Sequence, residues 1–241
     1  PLADDILDIS AIASLRGIHD ERSHWRIGST ATWSEIIEAE LPPLFDGLKE
    51  AARQVGGVQI QNAGTIGGNL CNASPAADGV PPLLALDARV EIADTTGGRS
   101  VALADFILGN RKTALQPGQL LTAILVPKPA HAARSHFLKL GAREYLVVSI
   151  VMVAATLEIE AGRVRAARIA VGACSPVARR LPLAEAVLAG KPCDATLGEL
   201  LRAEHLAVLA PIDDVRASAE YRLDAALTLA RRVLNHIGAQ A

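Results

Sequence analysis

Aromatic residues are scarce in this chain. Its 241 residues include two Trp, two Tyr and three Phe, 3% in all. A core must therefore be built from Ala, Val, Leu and Ile, and no rings interleave with basic side chains to stack on bases. A basic block is missing too: 24 Lys and Arg stand against 26 Asp and Glu. That balance excludes nucleic acid as the main partner. Cysteine is sparse. Cys71, Cys174 and Cys193 are widely spaced, form no CxxC and make an odd count, which fits no closed disulfide framework. The six His do not cluster near them, so no zinc or iron–sulfur site is expected from this chain alone. The most apolar run, residues 145–157, is too short to cross a bilayer and contains Ser149 and Thr156. No secretory segment opens the chain, and a reducing, cytoplasmic setting is expected. There is no internal repeat, no low-complexity tract and no catalytic His/Asp constellation, so no catalytic residue is assigned. The start, PLADDILDIS, has no Met and reads as though already inside a domain. A further N-terminal segment is expected in the complete protein.

What is present is apolar and well punctuated. Half the residues are hydrophobic, ample for one large domain or two small ones. WRIGSTATWSEII (25–37) reads as a short strand, a turn and a helix, with Thr32 or Ser34 as cap. Pro42 and Pro43 end that helix, and residues 44–55 form another, with Leu44, Leu48, Ala51, Ala52 and Val55 on one face. A short helix is expected over 81–87, a strand over 88–94 with a hairpin-like return, and further strands over 119–127 and 135–141. Residues 147–160 suit a buried helix or a buried strand equally. Residues 160–176 open on a turn and continue as a strand. The remainder reads as helical over 183–188, 197–206 and 218–236. The last of these carries a stripe of Leu223, Leu227, Ala230, Leu234 and Ile237. This order predicts an α+β chain of two lobes, divided within 127–134.

One stretch does not look like core. NAGTIGGNLCNASPAAD (62–78) concentrates Gly, Asn and hydroxyl residues without an amphipathic period. Gly67 and Gly68 let a ligand approach the backbone closely, since no Cβ intervenes. Successive N–H groups in such a turn can form a nest for phosphate oxygens. Thr65, Asn69, Asn72 and Ser74 add short donors, and Asp78 can accept from a sugar or ribityl hydroxyl. The spacing is neither GxGxxG nor a P-loop. A Gly/Asn/Ser cluster is more often a plain turn, and the residues alone leave both readings open.

The longer segment QIQNAGTIGGNLCNASPAADGVPPLLALDARVEI (59–92) resembles the FAD-binding segment of the molybdenum hydroxylases. It is most similar to the medium, flavin-carrying subunit of xanthine and carbon monoxide dehydrogenase-type enzymes. The likeness extends to IGSTATWSEI before it and ASAEYR (217–222) after it, and covers nearly the whole chain. It implies a two-lobed FAD-binding fold, with residues 1–130 as the FAD-binding part, its N-terminal lobe incomplete. Residues 131–241 would be a C-terminal flavoprotein lobe of antiparallel sheet plus a helix bundle. Thr65, Ile66, Gly67, Gly68 and Asn69 match the family's loop over the FAD diphosphate and ribityl chain. Asn72, Ser74 and Asp78 follow it, with Asp78 as hydroxyl acceptor. Leu121 and Val55 are candidates for the pocket lining or for ordinary core. Lys139 aligns with a lysine near the flavin, and Tyr145 with a residue covering the isoalloxazine; a surface charge and a half-buried ring at the lobe boundary are the alternatives. Arg216, Ser218, Tyr221 and Arg222 are expected to cap and pack the last helix. Cys71 is expected to be a small, inert member of the loop.

One feature of the family has no match in residues 1–55: the glycine loop of the AGGTDL type, which grips the FAD diphosphate from a further N-terminal lobe. The resemblance implies an FAD-carrying electron-transfer subunit. The molybdenum cofactor and 2Fe-2S clusters would lie on a large and a small partner subunit, and NAD+ or a quinone would be the acceptor. Two other readings stay open on the sequence: a cofactor-free assembly module derived from the family, and a stand-alone flavin-binding protein.

Overall fold

Short aliphatic runs broken by turns pair with their neighbours, and this chain builds two antiparallel sheets that way. The computed structural model describes residues 6–241. In the first lobe β1 (Ile18–Asp20) and β2 (His24–Gly28) lead into α1 (Trp33–Glu38), α2 (Asp46–Arg53), α3 (Val58–Ala63), α4 (Ile66–Asn72) and α5 (Val80–Ala85). The hairpin β3 (Arg89–Asp94) and β4 (Gly97–Ala102) follows, then α6 (Leu103–Phe106) and a small ribbon of β5 (Ile107–Gly109) and β6 (Lys112–Thr113). Strand β7 (Leu120–Pro127) inserts between β2 and β3, giving the order β1-β2-β7-β3-β4. The helices cover this sheet over a core that includes Ile27, Trp33, Ile36, Phe45, Leu70, Val90 and Ile124.

The second lobe is a sheet of order β11-β10-β9-β8, from β8 (Ala132–Leu140), β9 (Val151–Glu160), β10 (Arg163–Gly172) and β11 (Arg179–Arg180). Two helices complete it: α7 (Pro182–Leu188) lies on β10, and α8 (Ala219–Gly238) lies across β8 and β9. Residues 147–160, undecided by periodicity, supply β9. The reason is burial on both faces. Val151, Val153, Ala155 and Leu157 join the core under α8, while Met152 and Ala154 join Phe137, Ala51 and Ala85 between the lobes. A strand covered on both sides loses its alternation.

Two expectations for the C-terminal part are corrected. Residues 197–206 are two 3-10 turns, Leu197–Leu200 and Ala203–Leu206, not one helix, so the lobe is a sheet overlaid by helices and not a helix bundle. In α8 the expected stripe holds at Ala230, Leu234 and Ile237, with Leu227 half-buried against the same core, but not at its start, where Leu223 is 37% exposed and Arg222 is buried. The Arg222 guanidinium takes that place by donating to the carbonyls of Ile150 (2.6 Å) and Ala173 (3.1 Å) and to Asp214 (2.7 Å).

The lobes are joined by polar contacts as well as by Phe137. Ser135 Oγ donates to Leu44 O (2.7 Å) and accepts from Gly47 N (2.8 Å). Glu50 on α2 accepts from Phe137 N (2.7 Å) and meets His136 Nδ1 at 3.0 Å. The His136 ring stacks on His236 of α8, centroids 3.8 Å apart. Burial and the neighbouring His136 hold the His236 imidazole below its ordinary value, against the pull of Glu50. The unfolded chain then binds this proton more readily than the folded one. The contribution of His236 to stability is present above about pH 6.5, the unfolded value, and is lost as pH falls through the folded one. Thermal melting of wild type should drop on acidification from neutrality, and His236→Gln should flatten that drop. Parallel melting-against-pH curves for the two proteins would refute it.

Candidate cofactor site

The Gly/Asn-rich stretch is folded more tightly than a loop. Thr65 caps α4, its Oγ1 accepting from Gly68 N at 3.0 Å. Ile66 and Leu70 are fully buried beneath the helix. Ile66 N donates to Ala31 O (3.0 Å), Gly67 N to Ser29 O (2.9 Å) and Asn69 N to Thr65 O (3.0 Å). The first two of these bonds sew the first turn of α4 to the loop that follows β2. The approach is so close that a Cβ on Gly67 would lie 2.5 Å from Ser29 O. The expected nest is therefore corrected. The N–H groups of residues 66–69 are all engaged within the chain, and the glycines serve close approach instead of free donation.

Beside this turn lies a cleft of about 870 Å³, within the range of ligand sites. It is lined by Ser29, Thr30, Thr32, Thr65, Gly67, Gly68 and Cys71, together with residues 6–10, Leu115, Gln119 and Leu121. Thr32 holds α1 by a reciprocal capping box with Glu35. Cys71 is exposed on this lining, and partial desolvation pushes its thiol up.

The second half of the stretch does something different. Pro75 O accepts from Ala173 N (3.0 Å) across the lobes. Asp78 Oδ2 pairs with Lys139 Nζ at 2.6 Å and Asp78 Oδ1 accepts from Ser149 Oγ at 2.6 Å. The side chains of Lys139 and Asp78 are 6% and 9% exposed. Burial pushes the Asp78 carboxyl up, opposed by the Lys139 ammonium and both hydrogen bonds. A second cavity of about 390 Å³ opens beside this contact, lined by Ser74, Ser149, Asp214 and Arg222 among others.

These elements are shared with known proteins. The model of the FAD binding domain in molybdopterin dehydrogenase matches residues 2–129, and that of the CO dehydrogenase flavoprotein C-terminal domain matches residues 136–237. The chain belongs to the FAD-binding medium-subunit family of the molybdenum hydroxylases. The xanthine dehydrogenase FAD-binding subunit of Escherichia coli is 33% identical over 240 residues, 98% of this chain and 82% of that protein. The carbon monoxide dehydrogenase medium chain of Afipia carboxidovorans is 30% identical over 243 residues, with the same coverage of 98% and 82%. A crystal structure of the copper- and molybdenum-containing CO dehydrogenase superposes with a TM-score of 0.86 at 31% identity, covering 97% of this chain and 82% of that one. Quinoline 2-oxidoreductase from Pseudomonas putida gives 0.84 at 28% identity, covering 96% and 80%. The chain is thus a subunit type of an oxidoreductase family, and its α+β, two-lobed architecture is that of the medium subunits.

The cleft passes a test of fit for the family's cofactor. Ser29 lines it and its Oγ is buried with no hydrogen-bond partner among the described residues, while Gly68 presents an exposed backbone without a side chain. Of the residues expected from sequence, Thr65, Gly67, Gly68 and Leu121 come together on the cleft, with Ile66 anchoring α4 from below. Asn69 turns toward Trp33 and Gly79. Asn72 accepts from Arg111, and Ser74 lines the second cavity. Val55 packs against the first-lobe core. Asp78 and Lys139 are not among the residues lining the cleft and are bound to each other, with Asp78 also accepting from Ser149. Tyr145 is 69% exposed on the loop between β8 and β9. Sequence reading missed Ser29 and residues 6–10. Ser29 had one signal, a run of small polar residues between a strand and a helix cap.

Proposed function

We propose that this chain holds FAD in the cleft beside α4 and serves as the flavin-carrying electron-transfer subunit of a heteromeric molybdenum hydroxylase. FAD supplies the redox chemistry when bound. The chain relays electrons from 2Fe-2S clusters on a small partner subunit toward an external acceptor, NAD+ or a quinone. Substrate is oxidised at the molybdenum cofactor of a large subunit, in the cytoplasm. The residues proposed to hold the dinucleotide are Thr65, Gly67, Gly68 and Leu121, while Ile66 and Asn69 fix α4 in place. Asp78 and Lys139 act at one remove, by holding the second lobe against the segment that ends the loop.

The observation that carries this reading is the glycine turn on the cleft: Gly67 packed onto Ser29 O, Gly68 exposed, and the partnerless hydroxyl of Ser29 next to Gly67. Among the described residues no group of three or more His, Cys, Asp or Glu is placed to hold a metal, and no helix is long and apolar enough to cross a membrane. The test is to purify the full-length chain with its partner subunits and record flavin content by absorbance. Near-stoichiometric FAD is expected, with reoxidation by NAD+ or a quinone after reduction through the partner. A colourless protein that stays so after reconstitution with FAD would rule the reading out.

A further inference from the structure

Ser29 is 4% exposed, and its hydroxyl is an orphan among the described residues. Its backbone is fixed on both sides: Ser29 N donates to Thr122 O (3.0 Å) and Ser29 O accepts from Gly67 N (2.9 Å). A Cβ placed on Gly67 would lie 2.8 Å from Ser29 Cβ, so the serine stands directly against the glycine turn. A hydroxyl shut away from water without a partner destabilises the folded chain. Nothing in the packing requires it, since alanine would fill the same space.

Two other hydroxyls lining the cleft are already engaged. Thr30 Oγ1 donates to Leu15 O (2.7 Å), and Thr32 Oγ1 donates to Glu35 Oε2 (3.1 Å). The N–H groups of residues 66–69 bond within the chain, as described above. Hydroxyl protons without an acceptor among the described residues remain on Ser29 and on Thr65, whose oxygen only accepts from Gly68 N. The two acids of the lining are tied down locally: Asp8 Oδ1 accepts from Ser10 N (2.8 Å) and Glu35 Oε2 from Thr32 N (2.6 Å). Arg16 lines the same cleft, its Nε donating to Ser10 O (2.7 Å) and its two terminal nitrogens making no hydrogen bond among the described residues. Unpaired hydroxyls and a guanidinium in one cleft suit an anion, and a hydroxyl bond to an anion is stronger than one to a neutral group.

We propose that Ser29 is a diphosphate-binding residue: its hydroxyl, enclosed in the flavin-free chain, turns about the Cα–Cβ bond into the cleft and donates to a phosphate oxygen of the flavin dinucleotide. The inference rests on the cofactor reading given above and names the donor that the engaged backbone of α4 cannot provide. The experiment compares full-length wild type with Ser29→Ala, each stripped of flavin, in titrations with FAD and separately with ADP. Ser29→Ala should bind both about tenfold more weakly, the effect of one charge-assisted bond. The flavin-free variant should melt no lower than wild type, because removing an orphan hydroxyl relieves the apo protein. Wild-type affinity in Ser29→Ala would overturn the inference and leave the cofactor reading standing. Weaker binding accompanied by lower apo stability would mean a structural role and overturn it as well. Loss for FAD with none for ADP would put the hydroxyl on the flavin half, against the diphosphate assignment. Failure of wild type to take up FAD would end both readings together.

Discussion

Asp78→Ala should lower folding stability by roughly 3–5 kcal/mol, the cost of leaving one member of a buried ion pair uncompensated. Asp78 comes from the end of the Gly/Asn-rich stretch in the first lobe, and Lys139 from β8 in the second. Their side chains are 9% and 6% exposed, with 2.6 Å between charged atoms. Removing the carboxylate strands the ammonium and also leaves Ser149 Oγ without its acceptor. Asp78→Asn, which keeps an acceptor but no charge, should fall between. The double variant Asp78→Leu/Lys139→Met should regain much of the loss, since an apolar pair of similar volume is often as stable as the ion pair it replaces. Urea unfolding at neutral pH gives the comparison. A loss below about 1 kcal/mol, the size of an exposed pair, would mean that the pair does not fasten the lobes. FAD retention by Asp78→Ala is then secondary. The carboxylate affects the cofactor through the lobe contact, and flavin loss should track unfolding.

The sequence and the fold agree where local signals dominate. The hairpin of β3 and β4, the capped helix α1 and the apolar strand β7 all follow from turn residues, a Thr–Glu box and alternating aliphatics. Agreement weakens where tertiary contacts decide. Residues 151–157 show no alternation because α8 covers one face of β9 and the first lobe the other. Leu223 gave way to Arg222 at the buried face of α8 because three acceptors await that guanidinium from outside the helix, and no helical periodicity reports them. At the site, Gly67 and Gly68 were legible as a place of close approach. Which group they approach was not, since Ser29 is distant in sequence and is brought there by the bridge of Thr32 with Thr65 and the bonds from Ile66 N and Gly67 N to the loop after β2. Asp78 shows the same limit. Its partner Lys139 lies 61 residues away on β8, and no local pattern reports that pairing.

Gly68→Val should leave the chain folded and lose roughly ten- to a hundredfold in FAD affinity, the effect of forcing 1–3 kcal/mol of overpacking into a shaped site. Gly68 is exposed on the cleft, and the atom nearest a Cβ there is Thr65 Oγ1 at 2.9 Å. A valine would press on the α4 cap and fill the space kept open beside Ser29. Gly67→Ala is the informative contrast. It is buried, and its Cβ would sit 2.5 Å from a backbone carbonyl that cannot rotate away, so α4 must lift from the loop after β2. That variant should lose stability by ~1–3 kcal/mol even without flavin, with FAD binding falling as a consequence. The pair therefore separates two meanings of a glycine turn. If Gly68→Val binds FAD normally while Gly67→Ala is destabilised, the glycines serve only the packing of α4 on Ser29, and the ligand lies elsewhere. If Gly68→Val keeps wild-type melting without flavin and loses FAD, the bare backbone is there for the dinucleotide, and the orphan hydroxyl of Ser29 faces the same molecule.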